Sequence, residues 1–333
     1  MKVMVAGDVG GTKTILALYS PGKGPREPLV RSSFPSSSHA GLEDLLVDFL
    51  ADVQEKVDGA VFGVAGPVVG GSARITNLTW TIDASSLGSV LGTGRIHLLN
   101  DLEAVALGIP LLSGDDFHTI HRGEPVPHGP IAVIAPGTGL GEAYLTWDGK
   151  GYRAHASEGG HSDFAPRDTR EADLLAFLLR RFDHVSYELV CSGSGIRNIY
   201  AFLRESGRYE EPAWLAQRLR NEPDPTIVIR EAAQDIARPS EICRETMRMF
   251  VSILGAETGN LALKFLPTGG IYIGGGLPPR ILSMIDDVTF IEAYLAKGRL
   301  SPVVSRIPVH VILNTDVGLI GAAGYGMGIM QNP

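Results

Sequence analysis

Cysteine is nearly absent from this chain. Cys191 and Cys243, the only two in 333 residues, offer no disulfide framework and no zinc-type spacing, which points to a reducing compartment. Basic charge is also in deficit. With 29 lysines and arginines against 37 aspartates and glutamates, the net charge is −8, where a nucleic-acid or anionic-membrane partner would favour a basic face. An anionic substrate held by loops and a metal is not excluded. Long apolar runs are missing too. Met1 to Ala6 is apolar, but Asp8 ends the run short of a signal-peptide core, and Gly318 to Met330 is shorter than a membrane span. A cytoplasmic protein with no membrane or nucleic-acid partner is expected. The remainder, 44% hydrophobic and 20% charged, is that of a globular protein longer than one core usually serves, so two domains are expected.

The order of apolar runs gives the architecture. Lys2 to Ala6 and Thr14 to Tyr19 flank Gly7-Asp8-Val9-Gly10-Gly11-Thr12-Lys13 and read as a hairpin. Leu29 to Phe34 follows too closely for a helical crossover, so it should pair antiparallel. Leu42, Leu45, Leu46, Phe49, Leu50 and Val53 recur at helical spacing. Gly59 to Ala65 and Ile96 to Asn100 read as strands, and a helix starts near Leu102. The same order then restarts at Ile131 to Ala135, Glu142 to Trp147 and Tyr152 to Ala156. Helices follow at Glu171 to Phe182, Ile196 to Glu205 and Glu241 to Leu266, with a later strand at Gly270 to Ile273. Two strand–Gly-turn–strand openings suggest a duplicated architecture. Breakers at Ile109-Pro110 and Gly123 to Pro130 mark the boundary. If the last helix packs back on the first half, the domains are 1–111 plus 317–333 and 112–316.

Each polar cluster has a bland reading beside a chemical one. Asn100 and Asp101 lie at a strand-to-helix joint, where ligands collect in open α/β sheets, yet Asp101 alone reads as a helix cap. Gly10-Gly11-Thr12 suits close approach to phosphate and equally suits a plain hairpin turn. It is not a P-loop, because Thr12 replaces the second glycine and no helix follows. Asp8 could hold Mg²⁺ through water, and Lys13 could neutralise phosphate or stand solvated. Gly137-Thr138-Gly139-Leu140-Gly141 repeats the first loop's chemistry in the same topological place. Gly274-Gly275-Gly276, after a strand, could receive a flat base. Three such turns favour a nucleotide over what any one suggests. Glu158-Gly159-Gly160-His161 puts polar groups in a Gly-rich loop with no third metal ligand nearby, while spacing leaves a glycosidase-type carboxylate pair open. Glu188 begins a turn running into Gly193 and alone reads as a surface residue. His118-Thr119-Ile120-His121 reads as a polar loop with little claim to a metal.

Taken in this order, Gly7 to Thr12, Leu99-Asn100-Asp101, Gly137 to Gly141, Glu158 to His161 and Gly274 to Gly276 resemble the bacterial-type ATP-dependent glucokinases, over essentially the whole chain. The resemblance implies an α/β fold of the actin-like ATPase superfamily: two RNase H-like domains with mixed central sheets and an interdomain cleft. It implies ATP-dependent phosphorylation of glucose at the C6 hydroxyl, with Asp101 as general base and Asn100, Asp101, Glu158, His161 and Glu188 on the sugar. Asp8, Gly10, Gly11, Thr12, Lys13, Gly137, Thr138, Gly139, Gly275 and Gly276 would serve ATP and its Mg²⁺, in a homodimer. Lys13 stands where these glucokinases commonly carry Asn, as in the related ROK family, whose cysteine-rich zinc motif and DNA-binding extension are not found here. Pro136 and Ser194 also depart from the pattern. A related hexose kinase, a sugar-sensing regulator of the same fold and a partner-moving ATPase are the alternative readings.

Overall fold

The computed structural model describes residues 3–20, 22–75 and 78–331. Lys2, the first residue of the expected first strand, and the outermost residues of the expected first domain lie outside them. The chain divides into two compact units: Met1–Asp116 with Ala143–Ala156 and Asn314–Pro333, and Phe117–Glu142 with Ser157–Leu313.

The first unit is built on a five-stranded sheet. Its strands are β1 (Val3–Val9), β2 (Lys13–Tyr19), β3 (Val30–Pro35) and β4 (Val57–Val64). After a small three-stranded sheet of β5 (Val68–Val69), β6 (Ser72–Arg74) and β7 (Thr81–Asp83) comes β8 (Ile96–Asn100), giving the order β3-β2-β1-β4-β8. The hairpin partners β1, β2 and β3 are antiparallel, as the short connections require, whereas β1, β4 and β8 are parallel. The almost continuous burial of β1 and β4 shows why they read as unbroken apolar runs: both faces are covered. The predicted helix after β3 spans Leu42–Phe49 and buries Leu42, Leu45, Leu46 and Phe49; it stops before Val53 because Leu50 is its C-cap.

The C-terminal helix, Val317–Gln331, belongs to this unit and packs on the helix Asp101–Gly108. Glycines make the close crossing possible. A Cβ at Gly321 would run into the Ala104 carbonyl, and one at Gly108 into that of Val317. Two helix backbones therefore touch directly, and the helix that begins with Asp101 is held against the C-terminal helix at Ala104 and at Gly108.

A six-stranded sheet repeats the order of the first. Its strands are β9 (Phe117–His121), β10 (Ile131–Pro136), β11 (Leu140–Trp147), β12 (Tyr152–Ser157), β13 (Gly270–Ile273) and β14 (Val309–Ile312). The sheet order β12-β11-β10-β13-β14 matches β3-β2-β1-β4-β8 strand for strand, and β9 is added at the far edge, antiparallel to β14. The duplicated architecture is borne out. The His118–His121 segment is not a polar loop: it is this edge strand, its half-buried residues paired along β14. The long helix Glu241–Phe265 lies at the centre of the larger core, packed by Gly193–Glu205, Pro225–Gln234 and Val288–Leu295. No described helix is long and apolar enough to cross a membrane.

Candidate active site

In the first unit, three carboxylates gather where β1, β4 and β8 reach their carboxyl ends. Asp8 is the next-to-last residue of β1 and pairs with Gly63 of β4. Burial first, then the charge of Asp101, pushes its pKa up to about 6; Lys13 opposes the shift and Asp316 adds to it. Asp316 precedes the C-terminal helix, where Arg31 pairs with it at 2.7 Å and Asn314 Oδ1 accepts its amide at 2.9 Å. The sequence reading missed Asp316, although Asn314-Thr315-Asp316 ahead of an apolar run carries a helix-start signal.

Asn100 and Asp101 exchange one expected role. The helix cap is Asn100: its Oδ1 accepts the Leu102 amide at 3.0 Å, and its own backbone N–H donates to Glu103 Oε2 at 3.0 Å, closing a capping box. Asp101 is the first helical residue, with Oδ1 accepting the Leu102 amide at 2.9 Å. The cap falls one residue early because Asn100 ends β8 in extended conformation and already turns the chain. The Asn100 side-chain amide also donates to Gly66 O at 3.1 Å, leaving its second hydrogen unengaged among the described residues.

The first glycine loop joins β1 to β2. Gly10 N–H is taken by Lys13 O at 3.0 Å, and the buried Ser36 hydroxyl donates to Gly10 O at 2.7 Å. Gly11 is partly exposed; Thr12 and Lys13 are exposed. The second loop, between β10 and β11, uses the same device: Gly137 N–H is taken by Gly139 O at 2.8 Å. Its carbonyl is also engaged, by Gly193 N–H at 2.8 Å from the start of the helix Gly193–Glu205. Thr138 is exposed at the tip. Gly275, after β13, holds φ at +89°, which glycine adopts without strain, and is exposed with Gly276.

Glu188 ties this loop to the polar cluster. Its Oε2 accepts the Leu140 amide at 3.0 Å and lies where a Cβ on Gly139 would be, and His161 Nε2 stands 4.0 Å away. Glu158 is exposed and its carbonyl accepts the His161 amide at 3.0 Å, so the two side chains flank one short 3₁₀ turn, Gly159–His161. The second unit thus brings together Gly139, His161 and Glu188, with Glu158 across the turn. His118 and His121 are engaged elsewhere: His118 pairs with Asp286 at 2.9 Å and His121 bonds Ser305 O at 2.6 Å. Among the described residues, no group of three or more His, Cys, Asp or Glu could hold a metal ion.

The glucokinase family model matches residues 5–328. The chain belongs to the glucokinase family. A glucokinase of Nostoc punctiforme is 40% identical over 97% of this chain and 98% of its own length. The crystal structure of a glucokinase from an Antarctic psychrotroph superposes with a TM-score of 0.82 at 29% identity, covering 98% of this chain and 99% of that one. The structure of a ROK-family glucokinase from Streptomyces griseus in complex with glucose and AMPPNP is similar at a TM-score of 0.65 and 19% identity, over 97% and 98% of the two chains. The expected actin-like ATPase fold is therefore borne out. Of the departures from the glucokinase pattern, Pro136 closes β10 and Ser194 lies in the first turn of its helix, bonded to the capping Ser192 at 2.8 Å.

Proposed function

We propose that the chain transfers the γ-phosphoryl group of ATP to the C6 hydroxyl of glucose. The observation that carries this reading is Glu188, whose one carboxylate is bonded beside a glycine loop and stands next to His161. A phosphate-type loop and a polyol-type cluster are built as one piece, which a partner-moving ATPase would not need. In this reading, Asp101 accepts the proton of the C6 hydroxyl as its oxygen attacks phosphorus in line. Phosphoryl transfer asks for little more than position and charge stabilisation, so one ionised carboxylate at a fixed helix start suffices. Glu158, His161, Glu188 and the free hydrogen of the Asn100 amide bond the sugar hydroxyls. An epimer would leave one of them unpaired, which can cost roughly 10⁴-fold in specificity.

Because Gly10 and Gly137 have committed their amides within their own turns, the phosphates would be met by Gly11, Thr12, Thr138 and Gly139, with Lys13 neutralising charge and Gly275 and Gly276 facing the base. The donor set suits Mg²⁺ carried with ATP: a cation that keeps most of its waters needs no protein cage, and Asp8 lies where added positive charge relieves crowded carboxylates. Bound there through water, the ion would neutralise phosphate charge. The proposal also takes the chain as a cytoplasmic homodimer opening glycolysis, with domains 1–111 plus 317–333 and 112–316. A coupled assay with ATP and a panel of hexoses is the test. Turnover of glucose above its epimers is expected, and no turnover of any hexose overturns the reading.

A further inference from the structure

Glu142 is the second residue after the Gly137–Leu140 turn, near the start of β11, and it is 2% exposed. Its Oε1 is buried with no hydrogen-bond partner. Its Oε2 occupies the space that a Cβ on Gly159 would need, so the carboxyl lies flat against the backbone of the turn that carries Glu158 and His161. Gly160, the next residue, is packed as closely on the Leu140 carbonyl. The turn therefore rests on β11 at two adjacent glycines, and one of its two supports is an ionisable group.

We propose that Glu142 is a positioning residue for the sugar, its buried carboxyl setting how the Gly159–His161 turn presents Glu158 and His161. The inference rests on the sugar-binding reading of those two residues. The groups that face Glu142 decide which form of it supports the turn. From the long helix come Glu257, fully buried, and Lys264, which already pairs with Glu257 at 3.0 Å. The buried Cys191 thiol, pushed up by its own burial, also feels both carboxylates. From the turn comes Ser157 Oγ, which accepts the Gly159 amide at 3.0 Å. Lys264 and Lys297 both act on Glu257, which Lys264 already pairs with, so an ionised Glu142 with an unpartnered oxygen would be a poorly compensated buried charge. Burial with an unpartnered oxygen costs the neutral acid less than the carboxylate. Burial, with the charge of Glu257 adding to it, pushes Glu142 up to about 7. The supported turn is thus the major form below neutrality and the minor form above it.

Apparent sugar affinity follows the fraction of molecules in the competent form, so it should weaken by up to about tenfold between pH 6 and pH 8. Turnover at saturating glucose and the KM for ATP should stay level. The experiment is glucose calorimetry without ATP on the wild type and Glu142→Gln, whose amide mimics the neutral acid, across that pH range. In the wild type, glucose affinity should fall with pH and binding should take up a proton near pH 7, seen by comparing two buffers of different ionisation enthalpy. In Glu142→Gln the affinity should stay near its low-pH value throughout. Parallel pH profiles in the two proteins overturn the proposal. Absence of any glucose binding at any pH instead overturns the sugar-site reading. Should Glu142→Gln fail to fold, infrared difference spectra of the wild type with and without glucose at pH 7.5 decide: a gained protonated-carboxyl C=O band supports the proposal, because His161 cannot give one, and its absence refutes it.

Discussion

Asn100 caps the helix and Asp101 follows it as the first helical residue, so two polar neighbours hold different places at one joint. Asn100 caps the helix with one atom and holds Gly66 O with another, while Asp101 begins the helix beside Asp8. Asp101→Asn should keep the capping box and leave glucose affinity nearly unchanged, because the amide still bonds a hydroxyl. Without a proton acceptor, kcat should fall by about 10²–10⁴-fold. Steady-state kinetics beside glucose calorimetry separate the two quantities, and near-normal turnover would remove Asp101 as the base. Glu188 permits a sharper division. Glu188→Gln retains an oxygen for the Leu140 amide but loses the charge facing His161, so the glucose KM should rise while the ATP KM holds. Glu188→Ala removes both contacts and should raise both KM values. If the alanine variant shifts only the glucose KM, Glu188 does not brace the loop.

Helices hold these residues in place through backbone contact, and glycine is the means. Gly321→Val would put a side chain into the Ala104 carbonyl, forcing apart the helix Asp101–Gly108 and the C-terminal helix. A loss of about 1–3 kcal/mol or more is expected, read as a lower melting temperature. kcat should drop as well, although Gly321 itself carries no chemistry. Gly328→Ala, in open space on the same helix, should instead stabilise by roughly 0.5–1 kcal/mol and leave kcat alone. Both expectations depend on packing that no periodicity displays. Strands were legible because β1, β4 and β10 are buried on both faces and so appear as plain apolar runs. β9 was not: its five residues are all half-buried at a sheet edge, and its two histidines each engage Nε2, on Asp286 and on Ser305 O, so His-Thr-Ile-His looks polar. The helices Ala213–Asn221 and Pro225–Gln234, not anticipated from the sequence, start at Pro212 and Pro225, where proline is tolerated.

At the scale of the whole chain, the legible part of the candidate site is the part exposed in glycine-rich loops; the groups that support it are buried and carry no motif. Glu142 is one charged letter in an apolar strand, and His310 is one in β14. Those two buried groups give the protein opposing responses to pH. Burial drives His310 down to about 4 from 6.5, so its neutral form is the folded one. Its contribution to stability is complete above pH 6.5 and is lost as pH falls through 4. Burial and Glu257 drive Glu142 up to about 7 from 4.5, so its contribution is complete below pH 4.5 and is lost as pH rises through 7. Each shift corresponds to roughly 3 kcal/mol, and between pH 4.5 and 6.5 the two slopes offset one another. Removing either group should tilt that level stretch. Relative to the wild type, Glu142→Gln should gain stability progressively as pH rises from 4.5 to 7, and His310→Phe should gain it as pH falls from 6.5 to 4. Melting temperatures of the three proteins across pH 4 to 8 measure those differences. A Glu142→Gln curve that stays parallel to the wild type would mean that the carboxyl beneath Gly159 finds a partner when it ionises, and would count equally against its control of the sugar turn.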